Sequence, residues 1–195
     1  MAVLALAATT VQAAEGLMMA DRAPAQSVAV LEIENAAALR QDVLASPFWK
    51  ALQNTEAVRQ WKASEKYAEG QQRLEEFLER LEMDEDAAIE TYLGGRSALV
   101  LLDSGDRKKP YGVFMTEVAR ADAERLIKAV GAHEVGRRGD VPIWEVRKEN
   151  HLDRMAYAGG VLMLTRPRAD ELQQVLDAAT GQEAALGAEG HFHKA

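Results

Sequence analysis

Two histidines near the end of the chain, His191 and His193, are the closest pair of histidines in the sequence and could be metal ligands. Alternate residues of an extended segment share a face, so both imidazoles could contact one zinc or copper ion. No third histidine lies near them, and on a helix an i, i+2 pair does not share a face. We therefore predict no metal site.

Three further polar clusters are better explained by local structure than by chemistry. His133-Glu134 lacks the second histidine, four residues on, of a zinc-protease helix. The contiguous acids of Asp84–Asp86 lack the alternating ligands and glycine of a calcium loop, so they are interpreted as complements to a helix dipole. Arg138-Gly139-Asp140 matches a cell-adhesion tripeptide, but the segment from Gly136 to Asp140 is interpreted as a turn.

No pattern for nucleophilic or cofactor chemistry is recognised. Gly94-Gly95 follows a predicted helix and precedes a predicted strand, the reverse of a dinucleotide fingerprint. Trp49 and Trp61 are expected to anchor the core rather than to form a ligand cage. No nucleophile motif surrounds the serines, which are Ser27, Ser46, Ser64, Ser97 and Ser104. No cofactor and no catalytic residue is predicted.

Composition narrows the classes of partner. The 195-residue chain has no cysteine, which excludes disulfides and thiolate chemistry. Its formal net charge of -8 disfavours nucleic acid and direct membrane-surface binding. The remaining partners are a protein or an apolar small molecule.

The first residues resemble the end of a secretory signal peptide. An apolar run, 2–8, leads to Val11-Gln12-Ala13, which places small residues at the positions before a cut after Ala13, although no positive n-region precedes the run. We predict a signal remnant over 1–14, a leader over 15–26 and a periplasmic or extracellular location. One domain is predicted over 27–182.

Helical spacing follows the first predicted strand, Ser27–Glu34. Asn35 and Ser46-Pro47 are predicted helix starts, and a long helical block without proline extends to Met83. Its stripe of Leu74, Leu78 and Leu81 is expected to dock inward, with Leu78 at the centre. Asp84 then caps a short helix that ends in a left-handed turn at Gly94-Gly95.

Strand-like patterns dominate after Gly95 and predict an α+β fold with helices on one face of a mainly antiparallel sheet. The order of elements predicts a ferredoxin-like (split βαβ) start with the helical block inserted after the first strand. A strand meander with a hairpin at Gly159-Gly160 follows, and a last helix ends near Thr180. Residues 183–195 form a tail whose Phe-His-Lys-Ala ending echoes Phe48–Ala51, as the start of a second unit would.

The chain resembles an uncharacterised family of bacterial exported proteins in three segments. These are Ser27–Glu34, Ser46-Pro47-Phe48-Trp49 and Ile89–Arg96, the last of which leads into a Leu-Val-Leu-Leu strand. The resemblance covers about residues 24 to 195. It implies an α+β domain of unknown function, often present as duplicated halves, and it implies no site residue.

The sequence thus predicts an exported, non-catalytic binding or scaffolding domain whose contact surface is the open sheet face or a groove beside the helices. A hydrolase with an unrecognised site and a carrier of apolar ligands are the alternatives. A continuous apolar cavity between the helical block and the sheet would distinguish the carrier.

The predicted leader can be tested directly. We expect the exported protein to begin near Ala14, because Val11-Gln12-Ala13 matches the cleavage pattern. N-terminal sequencing of a periplasmic preparation, expressed with a complete start, measures this. An exported product that retains Met1 would refute the prediction.

Overall fold

The computed structural model describes residues 19–102, 111–148, 151–165 and 169–180. His191 and His193 therefore lie outside the described residues, as do the predicted signal remnant 1–14, the first part of the predicted leader (15–18) and the predicted tail 183–195.

The described residues form one sheet of seven strands, all paired antiparallel. In chain order the strands are β1 (Ser27–Ile33), β2 (Ser97–Leu102), β3 (Tyr111–Glu117), β4 (His133–Arg138), β5 (Val141–Lys148), β6 (His151–Ala158) and β7 (Val161–Thr165). Their order across the sheet is β1-β2-β3-β7-β6-β5-β4. This confirms an α+β protein with a mainly antiparallel sheet.

Seven α-helices accompany the sheet in the described ranges. They are α1 (Ala36–Ala45), α2 (Pro47–Gln53), α3 (Glu56–Lys62), α4 (Glu65–Leu81), α5 (Glu85–Leu93), α6 (Arg120–Ala129) and α7 (Ala169–Ala179). A short 3-10 helix, Met19–Arg22, precedes β1.

The ferredoxin-like start is not confirmed. A split βαβ unit contains two parallel strands, whereas β1 and β2 are antiparallel neighbours and the described strands contain no parallel pair. The physical reason is that α1 packs against α5, so the helical block begins and ends at the same end of the sheet. The strands β1 and β2 are therefore paired like the two strands of a hairpin, and the five helices α1–α5 form the connection between them.

Helices cover both faces of the sheet, so the expectation of one covered face is wrong. On the first face, α7 and the 3-10 helix pack over a row formed by Met115, Met163 and Ala156. On the second face, α6 packs over Met155 and Leu162, with α5 beside β3. Strands buried on both sides explain the continuous apolar run of β7.

Side-chain caps divide the helical block into short helices. Ser46, Thr55 and Ser64 each accept a hydrogen bond from the backbone N–H three residues on, which starts α2, α3 and α4. Asn35 and Asp84 start α1 and α5 in the same way. Each cap satisfies a backbone donor that a helix end leaves open, so the chain turns there at little energetic cost.

Some left-handed residues lie where the sequence analysis predicted them, and others do not. Gly159 and Gly160 have φ of 57° and 82°, which confirms the predicted hairpin between β6 and β7. Gly94, however, is right-handed with φ of -74°. The left-handed residue of the helical block is Glu82, at φ 56°, where α4 ends.

The domain begins before the predicted boundary at Ser27. Met19 and Ala23, which the sequence analysis assigned to a leader, are buried in the core of the first face. The reason is that the 3-10 helix contacts β1, β2 and α7 and covers the apolar side chains at that side of the sheet.

Glu82 offers a test of the described backbone. A side chain in the left-handed region costs about 1 kcal/mol that glycine avoids, so Glu82→Gly should raise the free energy of unfolding by about 0.5–1 kcal/mol. The matched control is Glu79→Gly, also exposed but inside α4, which should lower it by about 1 kcal/mol. Denaturant unfolding that gives both variants the same sign would contradict the left-handed end.

Candidate functional site

An apolar cleft lies between α4 and the second face of the sheet. Its volume is about 1220 Å³, and α5, α6 and strands β2, β3 and β5–β7 also contribute to its walls. Most side chains inside are aliphatic or aromatic, and charged groups lie among the lining residues of α4, α5, β5 and β6.

The sheet wall is a row of apolar residues at right angles to the strands. The register places Leu99 of β2 opposite Phe114 of β3, Phe114 opposite Leu164 of β7, and Leu164 opposite Met155 of β6. Three strand spacings of about 4.8 Å make this row about 14 Å long. Leu99 remains 39% exposed, so the row is open to solvent at its β2 end.

The helix wall is the apolar stripe of α4. Leu74, Phe77 and Leu78 line the cleft and are half-buried, whereas Leu81 is fully buried where α4 ends. Leu78, the predicted centre of the docked stripe, is therefore only partly buried, and Leu81 is the fully buried residue. The reason is that α4 packs mainly against α3, α5 and α6, and the cleft separates its stripe from the sheet.

Tyr92 of α5 closes one side of the cleft and connects it to the fold. Its hydroxyl donates a hydrogen bond to the backbone carbonyl of Asp122, at 3.0 Å, and its own carbonyl accepts one from Thr116 Oγ1, at 2.6 Å. Burial, and secondly the Asp122 carboxylate, raise the pKa of the Tyr92 hydroxyl, which Arg125 lowers. The hydroxyl thus stays protonated at neutral pH and acts as a fixed structural donor.

The acidic cluster at the start of α5 has a structural role. The Asp84 carboxylate accepts a hydrogen bond from the N–H of Ala87, at 2.7 Å. Arg40 of α1 contacts Glu85 Oε1 at 2.6 Å and Asp86 Oδ1 at 3.3 Å. These contacts join the first and last helices of the block.

His133 and Arg138 lie on the edge strand β4. His133 is exposed at the strand's first position. Arg138 donates two hydrogen bonds of 2.7 Å to the buried carboxylate of Asp177 in α7, and Gly139 forms the turn with φ 56°. The predicted turn is thus confirmed at Gly139-Asp140, whereas Gly136–Arg138 belong to strand β4. Arg138 also attaches α7 to the sheet edge.

The two tryptophans of the helical block do not anchor the core. Trp61 is 58% exposed and contacts the Tyr67 ring edge-on at 4.7 Å, and Trp49 is half-buried. The expectation failed because α2 and α3 bury no residue completely and pack mainly against neighbouring helices.

The described serines are used in caps and strands. Ser46 and Ser64 are helix caps, Ser27 donates to the carbonyl of Pro24, and Ser97 contacts Thr116 within the sheet. Neither a serine nor a histidine is among the described residues that line the cleft. Ser104 lies outside the described residues.

Comparison with known proteins finds no matching family model, no similar curated protein and no similar solved structure. Within the described ranges, no cluster of three or more histidine and acidic side chains is suited to a metal ion. In the same ranges no helix combines the length and apolar character that crossing a membrane needs.

Sequence reasoning found one wall of the cleft and missed the other. The α4 stripe was visible in the spacing of its leucines, and the strand of Leu99 was visible as an apolar run. Phe114 and Leu164 carry no signal of their own, since only the long-range pairing of β3 with β7 makes them neighbours. The distance between the two walls could not be predicted either, because it depends on how the helices pack in the folded protein.

The α4 side chains provide a stability test of the cleft. Leu81→Ala should cost about 2–5 kcal/mol, because its side chain is fully buried. Leu78→Ala should cost less, about 1–2 kcal/mol, because its side chain is only partly buried and lines the cleft. Glu79→Ala, on the exposed side, should stay within about 0.5 kcal/mol of the parent. Equal losses for Leu78 and Leu81 in denaturant unfolding would indicate a closed core.

Proposed function

We propose that this chain is a non-catalytic binding protein that holds an apolar small molecule in the cleft between α4 and the sheet. The observation that supports this most directly is that two apolar surfaces face each other across a space of about 1220 Å³. Ligand pockets typically have volumes of about 300–1,000 Å³ and mainly apolar walls, so the cleft is large enough for a lipid-like molecule.

The energetics of the two walls favour an occupant. Phe77 and Leu78 on α4, and Phe114 and Leu164 on the sheet, leave part of their surface in the cleft. Each Å² of apolar surface that a ligand removes from water contributes about 25 cal/mol. A ligand that contacts both walls would thus stabilise the folded protein, because it would cover apolar surface that the cleft leaves exposed to water.

The proposal selects among the functions that the sequence left open. A continuous apolar cavity was the feature expected of a carrier of apolar ligands, and the mainly apolar lining of the cleft supports that alternative. The open sheet face that was expected to serve as a scaffolding surface is instead covered, because helices pack on both faces of the sheet. The hydrolase alternative stays a prediction without a supporting contact among the described lining residues.

The location of this function is part of the proposal. The signal-like segment 1–14 and the resemblance to exported bacterial proteins both favour the periplasm or the cell exterior. An apolar metabolite there needs a protein partner to remain soluble, which fits a carrier without catalytic groups.

A neutral fluorescent probe, N-phenyl-1-naphthylamine, tests the binding site. We expect saturable binding at one site, and Leu99→Ser should weaken it about tenfold, since a wall contact worth about 1.4 kcal/mol is lost. Titration of probe fluorescence, with melting temperatures checked in parallel, measures this.

Val135→Ser is the matched control. Val135 is likewise an exposed apolar strand residue, 46% exposed compared with 39% for Leu99, but it lies on β4 outside the cleft. It should leave probe affinity within twofold of the parent. Absent binding, or equal losses in both variants, would refute the cleft as the binding site.

A further inference from the structure

We infer that the molecule held in the cleft is a single-chain amphiphile with an anionic headgroup, which the arginines of α4 bind at the rim. This inference rests on the proposed function and adds the chemical class of the ligand. It follows from the charged residues beside the apolar stripe of α4 and from the hydrogen bonds and ion pairs that these residues make within the fold.

The charged rim follows from helical spacing on α4. Arg73, Glu76 and Arg80 recur at i, i+3 and i+7, so they share one face of the helix. All three line the cleft together with the apolar side chains Leu74, Phe77 and Leu78. An apolar chain inside the cleft would therefore place its polar end beside two guanidinium groups.

The acids at this side of the rim already have partners. Glu76 accepts a hydrogen bond from Gln72 Nε2 at 2.9 Å. Glu85 is held by Arg40 at 2.6 Å. Glu85 is thus paired with a cation of the fold, whereas Glu76 keeps its charge and offsets one of the two rim arginines. The α4 rim therefore has one guanidinium charge in excess.

The arginines retain donors for an anion. Arg80 donates only its Nε–H, to the backbone carbonyl of Glu76 at 3.2 Å, and within the described chain no carboxylate pairs with it. Arg73 lies 3.7 Å from Glu69 and its side chain is 80% exposed. A guanidinium offers five donors that match a carboxylate or phosphate, so both groups can bind a headgroup.

The opposite wall does not favour either sign of charge. Arg147 of β5 and Asp153 of β6 both line the cleft there, and their formal charges offset each other. The α4 rim thus decides the preference. The apolar interior, which supplies a row about 14 Å long, suits one extended chain.

Three dodecyl compounds with the same chain test the headgroup: dodecanoate, dodecan-1-ol and dodecyltrimethylammonium. Each compound is titrated as a competitor of N-phenyl-1-naphthylamine bound to the intact protein, with the two ionic compounds kept below their micelle concentrations and dodecan-1-ol below its solubility limit. We expect dodecanoate to bind about tenfold more tightly than dodecanol and the cation more weakly than both. Added salt should reduce the advantage of dodecanoate, because the contacts at the rim are solvent-exposed.

Arg80→Gln should reduce the affinity for dodecanoate to the level of the affinity for dodecanol. The affinity of this variant for dodecanol should stay within twofold of the parent's. Arg59→Gln is the control, since Arg59 is exposed on α3 and does not line the cleft. Equal binding of dodecanoate and dodecanol by the parent, or an equal loss for both in Arg80→Gln, would overturn the anionic headgroup and leave the apolar site standing. Failure of every dodecyl compound and of the naphthylamine probe to bind would overturn both proposals.

Discussion

The pairing of β3 with β7 is the interaction on which the rest of the structure depends. It joins the β1–β3 part of the sheet to the β4–β7 meander, across about 50 residues of sequence, from Val113↔Thr165 to Glu117↔Val161. On one face it places Met115 beside Met163 under α7, and on the other it places Phe114 beside Leu164 in the cleft. The closed core and the open site therefore share one set of backbone hydrogen bonds.

The two faces of this sheet are completed differently. On the first face, Leu172, Val175 and Leu176 of α7 are fully buried against the strands, and Arg138 holds Asp177 at the sheet edge. On the second face, α6 and α5 pack over the strands, while α4 lies farther out. A close-packed face can stabilise the domain while an incompletely covered face keeps room for a ligand.

Local features of the sequence predicted the elements, and long-range features decided their arrangement. The caps at Asn35, Ser46 and Asp84 were predictable, because capping depends on neighbouring backbone N–H groups. The topology was not, since a split βαβ unit and a long hairpin contain the same order of elements. The left-handed end at Glu82 also carried no signal, because glutamate is uncommon in that conformation. For the site, the α4 stripe was predictable and its distance from the sheet was not.

The distance between α4 and the sheet follows from constraints at both ends of the helix. Ser64 caps its start after α3, which packs against it, and Glu82 turns the chain sharply into α5 at its end. Arg40 then ties α5 back to α1 through Glu85 and Asp86. The five helices form a ring in which each contacts the next, so α4 cannot approach the sheet unless those contacts change. The ring keeps the apolar stripe in place across the cleft, and it lets the rim arginines remain at the surface while the two walls of the cleft stay apart.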